Sequence, residues 1–168
     1  IKEAVGDLKN LDIRYQLMLT GDRQGTADVI GREAGIPNIE AGLLPGQKLD
    51  RIRQLTSQGR RIAMVGDGLN DAPALAAAHV GIAVSGASDI TAEAADVVYL
   101  GHSLEKLPTL FEVSRRAVNT AWQNIFIFAG LFNVAAVALA ATGILTPIGA
   151  AFTHQLSSFF VMINSLRL

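Results

Sequence analysis

The chain has 168 residues, half of them hydrophobic and 17% charged, with a formal net charge of −1 and no cysteine. That near-neutral balance excludes an electrostatic grip on nucleic acid. The missing cysteines exclude disulfides and thiolate metal sites within these residues and say little about compartment.

The first hundred residues alternate between strand-like and helix-like patterns. Helices are predicted near 1–9, 25–34, 48–58, 72–78 and 88–95, and strands near 15–19, 61–65, 80–84 and 96–100. Such alternation predicts an α/β unit, a parallel sheet covered on both faces. No internal repeat or low-complexity linker interrupts it. The strand Tyr15 to Leu19 runs straight into Thr20-Gly21-Asp22. A hydroxyl and free backbone N–H groups at a strand-to-helix turn make an anion cradle. Lys48, near the start of its helix, is a point charge able to neutralise a transferring phosphoryl group. Arg51, Arg53, Arg60 and Arg61, beside Asp50, read as a solvated helix face.

The stretch Met64 to Leu75 is the richest in chemistry. After the strand Arg61 to Val65 it places Asp67, Asn70 and Asp71 within five residues, and Gly66 and Gly68 allow a sharp turn. Hard oxygen ligands at the C-terminal end of a strand suit Mg²⁺, which takes one or two carboxylates plus phosphate oxygens. An Asp-Gly turn alone would carry no such meaning, because it is common in loops. His79 and His102 have no partner at metal-ligand spacing and read as packing or surface residues.

The helix predicted from Leu104 to Trp122 continues into a different composition. From Ala117 to Leu166 there are 50 residues without one Asp, Glu, Lys or Arg. Two membrane helices fill that length, at roughly 122–142 and 146–166. The glycine and proline of Thr142-Gly143-Ile144-Leu145-Thr146-Pro147 mark the break between them. A buried soluble hairpin is the alternative, since Asn124, Asn133, His154 and Gln155 dilute the hydrophobicity. Arg115 and Arg116 before the first span and Arg167 after the second place both ends on the cytoplasmic side, with Trp122 at the interface. Asn133, His154, Gln155, Ser157 and Ser158 are the polar residues within the spans, and such residues are functional candidates or helix–helix glue. His154 and Ser158, at i and i+4, share a helix face.

Three segments together resemble the P (phosphorylation) domain of the P-type ATPases, members of the haloacid dehalogenase-like superfamily. They are Met18-Leu19-Thr20-Gly21-Asp22, Leu44-Pro45-Gly46-Gln47-Lys48 and Gly66-Asp67-Gly68-Leu69-Asn70-Asp71-Ala72-Pro73-Ala74-Leu75. The match continues through Val80-Gly81-Ile82-Ala83-Val84 and Glu93-Ala94-Ala95-Asp96-Val97-Val98. The resemblance implies a Rossmann-like P-domain sheet followed by a transmembrane hairpin. It divides the chain at 1–103, a linking helix 104–121, and 122–168. It implies Asp67 as principal Mg²⁺ ligand, with Asn70 and Asp71 as close neighbours. Thr20 and Lys48 become phosphoryl contacts, and Asp22, after Gly21, shapes the loop near the nucleotide.

In that family an aspartate in Asp-Lys-Thr-Gly-Thr accepts the γ-phosphoryl of ATP, and no Asp-Lys-Thr occurs here. The chain also starts without Met or a targeting signal. The expectation is a C-terminal fragment, inactive alone, of a pump in the plasma membrane with its P domain in the cytoplasm. Its actuator, nucleotide-binding and earlier membrane segments would lie upstream.

The ending Asn164-Ser165-Leu166-Arg167-Leu168 resembles the heavy-metal branch, which has two membrane helices after its P domain. Copper(I) exporters of that branch carry Tyr-Asn and Met-x-x-x-Ser where this chain has Phe132-Asn133 and His154-Gln155-Leu156-Ser157-Ser158. The lysine and aspartate of zinc and cadmium exporters are absent, and so is the His-Glu-Gly of the cobalt-like group. Imidazole in place of a thioether favours a divalent or mixed-valence transition metal over Cu(I). Asn133, His154 and Ser158 are the candidate ligands of the transported ion. A membrane-anchored phosphatase of the same superfamily and a non-catalytic fragment are the competing readings.

Overall fold

The computed structural model describes residues 1–67, 69–84, 92–101 and 103–167, without the side chains of Leu69 and Pro147. It comprises two units, Ile1–Pro108 and Thr109–Leu168. Gly68, His102 and the first half of the helix expected near 88–95 lie outside the described residues.

The first unit begins with α1 (Lys2–Asn10), which buries Ala4 and Val5. A β–α–β passage follows: β1 (Leu17–Leu19), α2 (Gln24–Ala34) and β2 (Asn38–Glu40), with β1 and β2 parallel and Leu19 opposite Glu40. Next comes α3 (Pro45–Ser57). It starts earlier than the pattern suggested because Pro45 suits a first helical position and the Gln47 side chain accepts from the Leu44 N–H at 2.8 Å. Lys48 therefore sits in the first turn of the helix.

The second half of this unit holds β3 (Ala63–Gly66), a 3₁₀ turn (Leu69–Asp71), α4 (Ala72–Ala77), β4 (Val80–Val84) and β5 (Val97–Tyr99). The three strands are parallel in the order β3-β4-β5. Alanines let α4 pack closely, so Ala74 and Leu75 are fully buried against Ile52 of α3 and Met64 of β3. Leu19 and Ile62 pack on the same cluster. The parallel arrangement expected from the alternating pattern is present, but in two pieces rather than one sheet: β1 and β3 each pair on one side only among the described residues.

Strand β2 has no counterpart in the sequence expectations. It is three residues long, and side chains rather than apolar alternation hold it. Asn38 donates to the Gln16 carbonyl at 2.9 Å, and Glu40 pairs with Arg51 at 2.6 Å. Arg51 is thus an ion-pair partner, and Arg60 lies 4.2 Å over the Tyr15 ring, so neither is only a solvated charge. His79 accepts from the Ile62 N–H through Nδ1 at 3.3 Å, a packing role.

The second unit is built on a helical run with three parts: α5 (Leu107–Gln123), a π-helical segment (Asn124–Leu131) and α6 (Phe132–Ala141). Pro108 falls in the first turn of α5, where a missing N–H costs no hydrogen bond. The irregularity of the run lies in the π segment. A turn with Gly143 at φ 75° leads to α7 (Pro147–Ser165), whose Thr146 side chain accepts from the Gly149 N–H. Among the described residues one helical run, Leu104–Ala141, is long and apolar enough to cross a membrane, with a hydropathy of 2.0. Only 6% of its apolar window is buried within the described residues. The expected second span coincides with α7, whose 19 residues reach about 28 Å. Its His154, Gln155 and Asn164 leave it less apolar than a stand-alone span.

Candidate functional site

Backbone pairing fixes the turn after β1. Thr20 N–H donates to the Glu40 carbonyl and Leu43 N–H donates to the Thr20 carbonyl, each at 3.0 Å. The Thr20 hydroxyl donates to Asp22 Oδ2 at 3.0 Å and accepts from the Asp22 N–H at 3.1 Å. Gly42 N–H closes the loop onto the Asp22 carbonyl at 2.8 Å. Asp22 therefore holds the Thr20 hydroxyl in place. An incoming anion would compete with Asp22 for that proton. Gly21, between them, is exposed.

Across the unit, Lys48 Nζ lies 2.8 Å from Asp71 Oδ1, and both side chains are only 14% exposed. The other ion pairs among the described residues are more open to solvent, so this one is the best shielded from screening. The close approach of Asp71 depends on Gly66: a Cβ there would lie 3.0 Å from the Asp71 Cβ. Asp71 is thus engaged with Lys48, whereas Asp67 and Asn70 are exposed. No group of three His, Cys, Asp or Glu gathers among the described residues. The donor set suits an ion that needs only one carboxylate plus phosphate oxygens and water, as Mg²⁺ does. It does not suit one that needs a full protein cage.

In the second unit Asn133 and His154 line one recess of about 400 Å³, with Ala136, Val137, Ala140 and Ala150. Asn133 Nδ2 donates to the Ala129 carbonyl at 2.7 Å, which fixes the carboxamide. Ser158 is not part of that lining; its hydroxyl donates back to the His154 carbonyl at 3.2 Å. Ser157, 3% exposed, donates to the Phe128 carbonyl of the π segment.

A family model described as haloacid dehalogenase-like hydrolase matches residues 1–79, the part that carries Thr20, Lys48, Asp67, Asn70 and Asp71. Over 99% of its length the chain is 42% identical to a copper-exporting P-type ATPase of Staphylococcus haemolyticus. Over the same share it is 46% identical to a probable cadmium-transporting ATPase of Alkalihalophilus pseudofirmus. It spans 21% and 23% of those two relatives. A solved zinc-transporting PIB-type ATPase in its E2.Pi state superposes on 97% of this chain and 27% of its own, with TM-score 0.87 and 31% identity. Along nearly its whole length the chain is similar to heavy-metal-transporting P-type ATPases.

Beside these similarities the chain carries features that its sequence alone did not reveal. The π segment has no residue signature in Asn124-Ile125-Phe126-Ile127-Phe128-Ala129-Gly130-Leu131. Asn164, 7% exposed, donates to Asn124 Oδ1 at 2.9 Å, and Asn124 Nδ2 donates to the Ser165 hydroxyl at 2.9 Å. The asparagine at the start of the apolar run and the one near the end of α7 were the available signal, since buried amides need partners. Asp96, noted only within a motif, accepts from the Gly81 N–H at 2.8 Å and pins the entry of β5 to β4.

Proposed function

We propose that the chain supplies the Mg²⁺–phosphate half of the phosphorylation site and the last two membrane helices of an ATP-driven transition-metal pump. The observation that carries this reading is the shielded pair of Lys48 and Asp71, at 2.8 Å. It joins two of the three phosphate-directed motifs in one place. Asp71 holds the Lys48 ammonium in place, and Lys48 then offers its charge to phosphoryl oxygens. Thr20 adds a hydrogen bond from its hydroxyl. Asp67, exposed beside Asn70 at the end of β3, would hold Mg²⁺. That ion, when bound, supplies charge neutralisation at the phosphoryl oxygens.

The acceptor aspartate and most of the ATP site belong to upstream sequence in this reading. β1 and β3 each keep one edge unpaired among the described residues, and unpaired edges accept another strand. Residues 1–103 complete the P domain in the cytoplasm, 104–121 link it to the membrane, and 122–168 span the plasma membrane as a hairpin. The transported ion passes Asn133 and His154, which share a recess. Imidazole favours a divalent ion over Cu(I), and the direction is out of the cytosol.

The test is ATP turnover of the full-length pump in lipid against Cu(I), Cu(II), Zn(II), Co(II) and Ni(II). The expected result is stimulation by a divalent ion that His154→Ala removes. Asp67→Asn is expected to abolish Mg²⁺-dependent phosphoenzyme, a loss on the order of 100-fold or more for a charge-stabilising group. An unchanged phosphoenzyme level in that variant would overturn the Mg²⁺ assignment. Stimulation by Cu(I) alone, untouched in the His154 variant, would overturn the metal preference.

A further inference from the structure

Among its described residues the second unit has a polar recess distinct from that lined by Asn133 and His154. It measures about 310 Å³ and is lined by Arg116, Asn119, Thr120, Gln123 and Arg167. Four of these fall at i, i+3, i+4 and i+7 of α5, one face of the helix. The fifth follows the C-terminal end of α7. Two guanidiniums therefore converge with amides and a hydroxyl.

Glu112, four residues before Arg116, is the one acidic side chain of this unit, and no ion pair joins it to either guanidinium among the described residues. Glu112 is the last Asp or Glu in the sequence. Among the described residues neither Arg116 nor Arg167 has a carboxylate partner. Arg167 reaches only the Asn164 carboxamide, at 3.4 Å. Planar guanidiniums recognise phosphate oxygens through paired N–H donors, so the recess suits a phosphate ester.

Its depth selects the source. Arg116 and Arg167 bound the charge-free stretch on either side. Trp122, half-exposed and stacked on Phe126 at 4.7 Å, is the aromatic residue expected at a headgroup level. The exposed Phe126, Ile127 and Ile163 carry the same unit onward as apolar surface for acyl chains. Basic pockets between membrane helices on the cytoplasmic side take anionic headgroups. We infer that this recess binds the phosphodiester headgroup of an anionic phospholipid at the cytoplasmic interface. The inference rests on the membrane reading of the hairpin given above.

Trp122 is the only tryptophan of the chain and reports on its own surroundings. The chain would be placed in bilayers of phosphatidylcholine and phosphatidylglycerol, with one or the other brominated on its acyl chains. Trp122 should be quenched preferentially by brominated phosphatidylglycerol. Arg116→Gln and Arg167→Gln should each lower that preference about five-fold. Arg115→Gln changes net charge equally but lies outside the recess lining, and should lower it far less. Millimolar inorganic phosphate should leave the preference intact.

Equal quenching by the two lipids would overturn the site while keeping the membrane hairpin. An Arg115→Gln effect as large as that of Arg116→Gln would replace the site with diffuse surface charge. Loss of the preference in inorganic phosphate would assign the recess to a soluble anion. Absence of quenching by either lipid would overturn the membrane reading itself.

Discussion

Lys48 and Asp71 are 23 positions apart in the chain, yet their charged atoms meet at 2.8 Å with 14% exposure on each side. Removing one partner of such a pair leaves a shielded charge unmatched, and that costs more than removing both. Lys48→Met is therefore expected to lower stability by about 2–3 kcal/mol, discounted from a fully buried pair because some solvent reaches it. The double variant Lys48→Met with Asp71→Leu is expected to recover part of that loss. Urea denaturation of both variants, followed by circular dichroism, measures the difference. A double variant less stable than the single would mean that Asp71 contributes mainly through its packing on Gly66. The sequence marked both residues as members of a phosphate site. It did not mark the pairing, because that distance depends on how α3 and the 3₁₀ turn settle on the core around Met64 and Leu75. For the same reason Asp71 read as a magnesium neighbour, whereas here its Oδ1 faces a lysine.

Among the elements, the π segment is the one whose geometry most departs from its sequence. A π turn holds an extra residue, so the helix beyond it is rotated from where an unbroken α-helix would place it. Asn133 lies just past that segment, and its orientation toward the recess shared with His154 follows from it. Two side chains brace the widened turns. Ser157 donates to the Phe128 carbonyl, and Asn133 donates to the Ala129 carbonyl. Gly130 is the third support, since a Cβ there would lie 3.0 Å from the Ile125 carbonyl. Gly130→Val is expected to destabilise the hairpin by about 1–3 kcal/mol through overpacking against backbone. Ser157→Ala should cost less, about 0.6 kcal/mol, as for an average hydrogen bond between membrane helices. Thermal unfolding in detergent ranks the two, and a Ser157→Ala loss equal to that of Gly130→Val would make the hydroxyl the main support. Most of the helices, the break at Gly143 and the parallel strands were legible because periodicity and turn residues encode them locally. The π segment and β2 were not, because Ser157 and Arg51 stabilise them from elsewhere in the chain.

At the scale of the whole molecule, two units carry two chemistries. Ile1–Pro108 holds the phosphate-directed residues and Thr109–Leu168 holds the polar recesses of the hairpin. The proposed pump needs them to respond to one another, because a ligand shifts a conformational equilibrium only by binding its states unequally. Variants in the two units should therefore separate in a defined way in the full-length protein. Asp67→Asn is expected to lose phosphoenzyme from both ATP and inorganic phosphate, since both routes need the same charge stabilisation. His154→Ala is expected to lose metal-stimulated turnover and still form phosphoenzyme from inorganic phosphate, because the residue lies in the other unit. Phosphoenzyme levels with each phosphate donor, with and without the transported metal, give the comparison. If His154→Ala also abolished the reaction with inorganic phosphate while the protein stayed folded, His154 would be needed for the phosphorylatable state itself. The recess at Asn133 would then be part of the coupling rather than only the path of the ion.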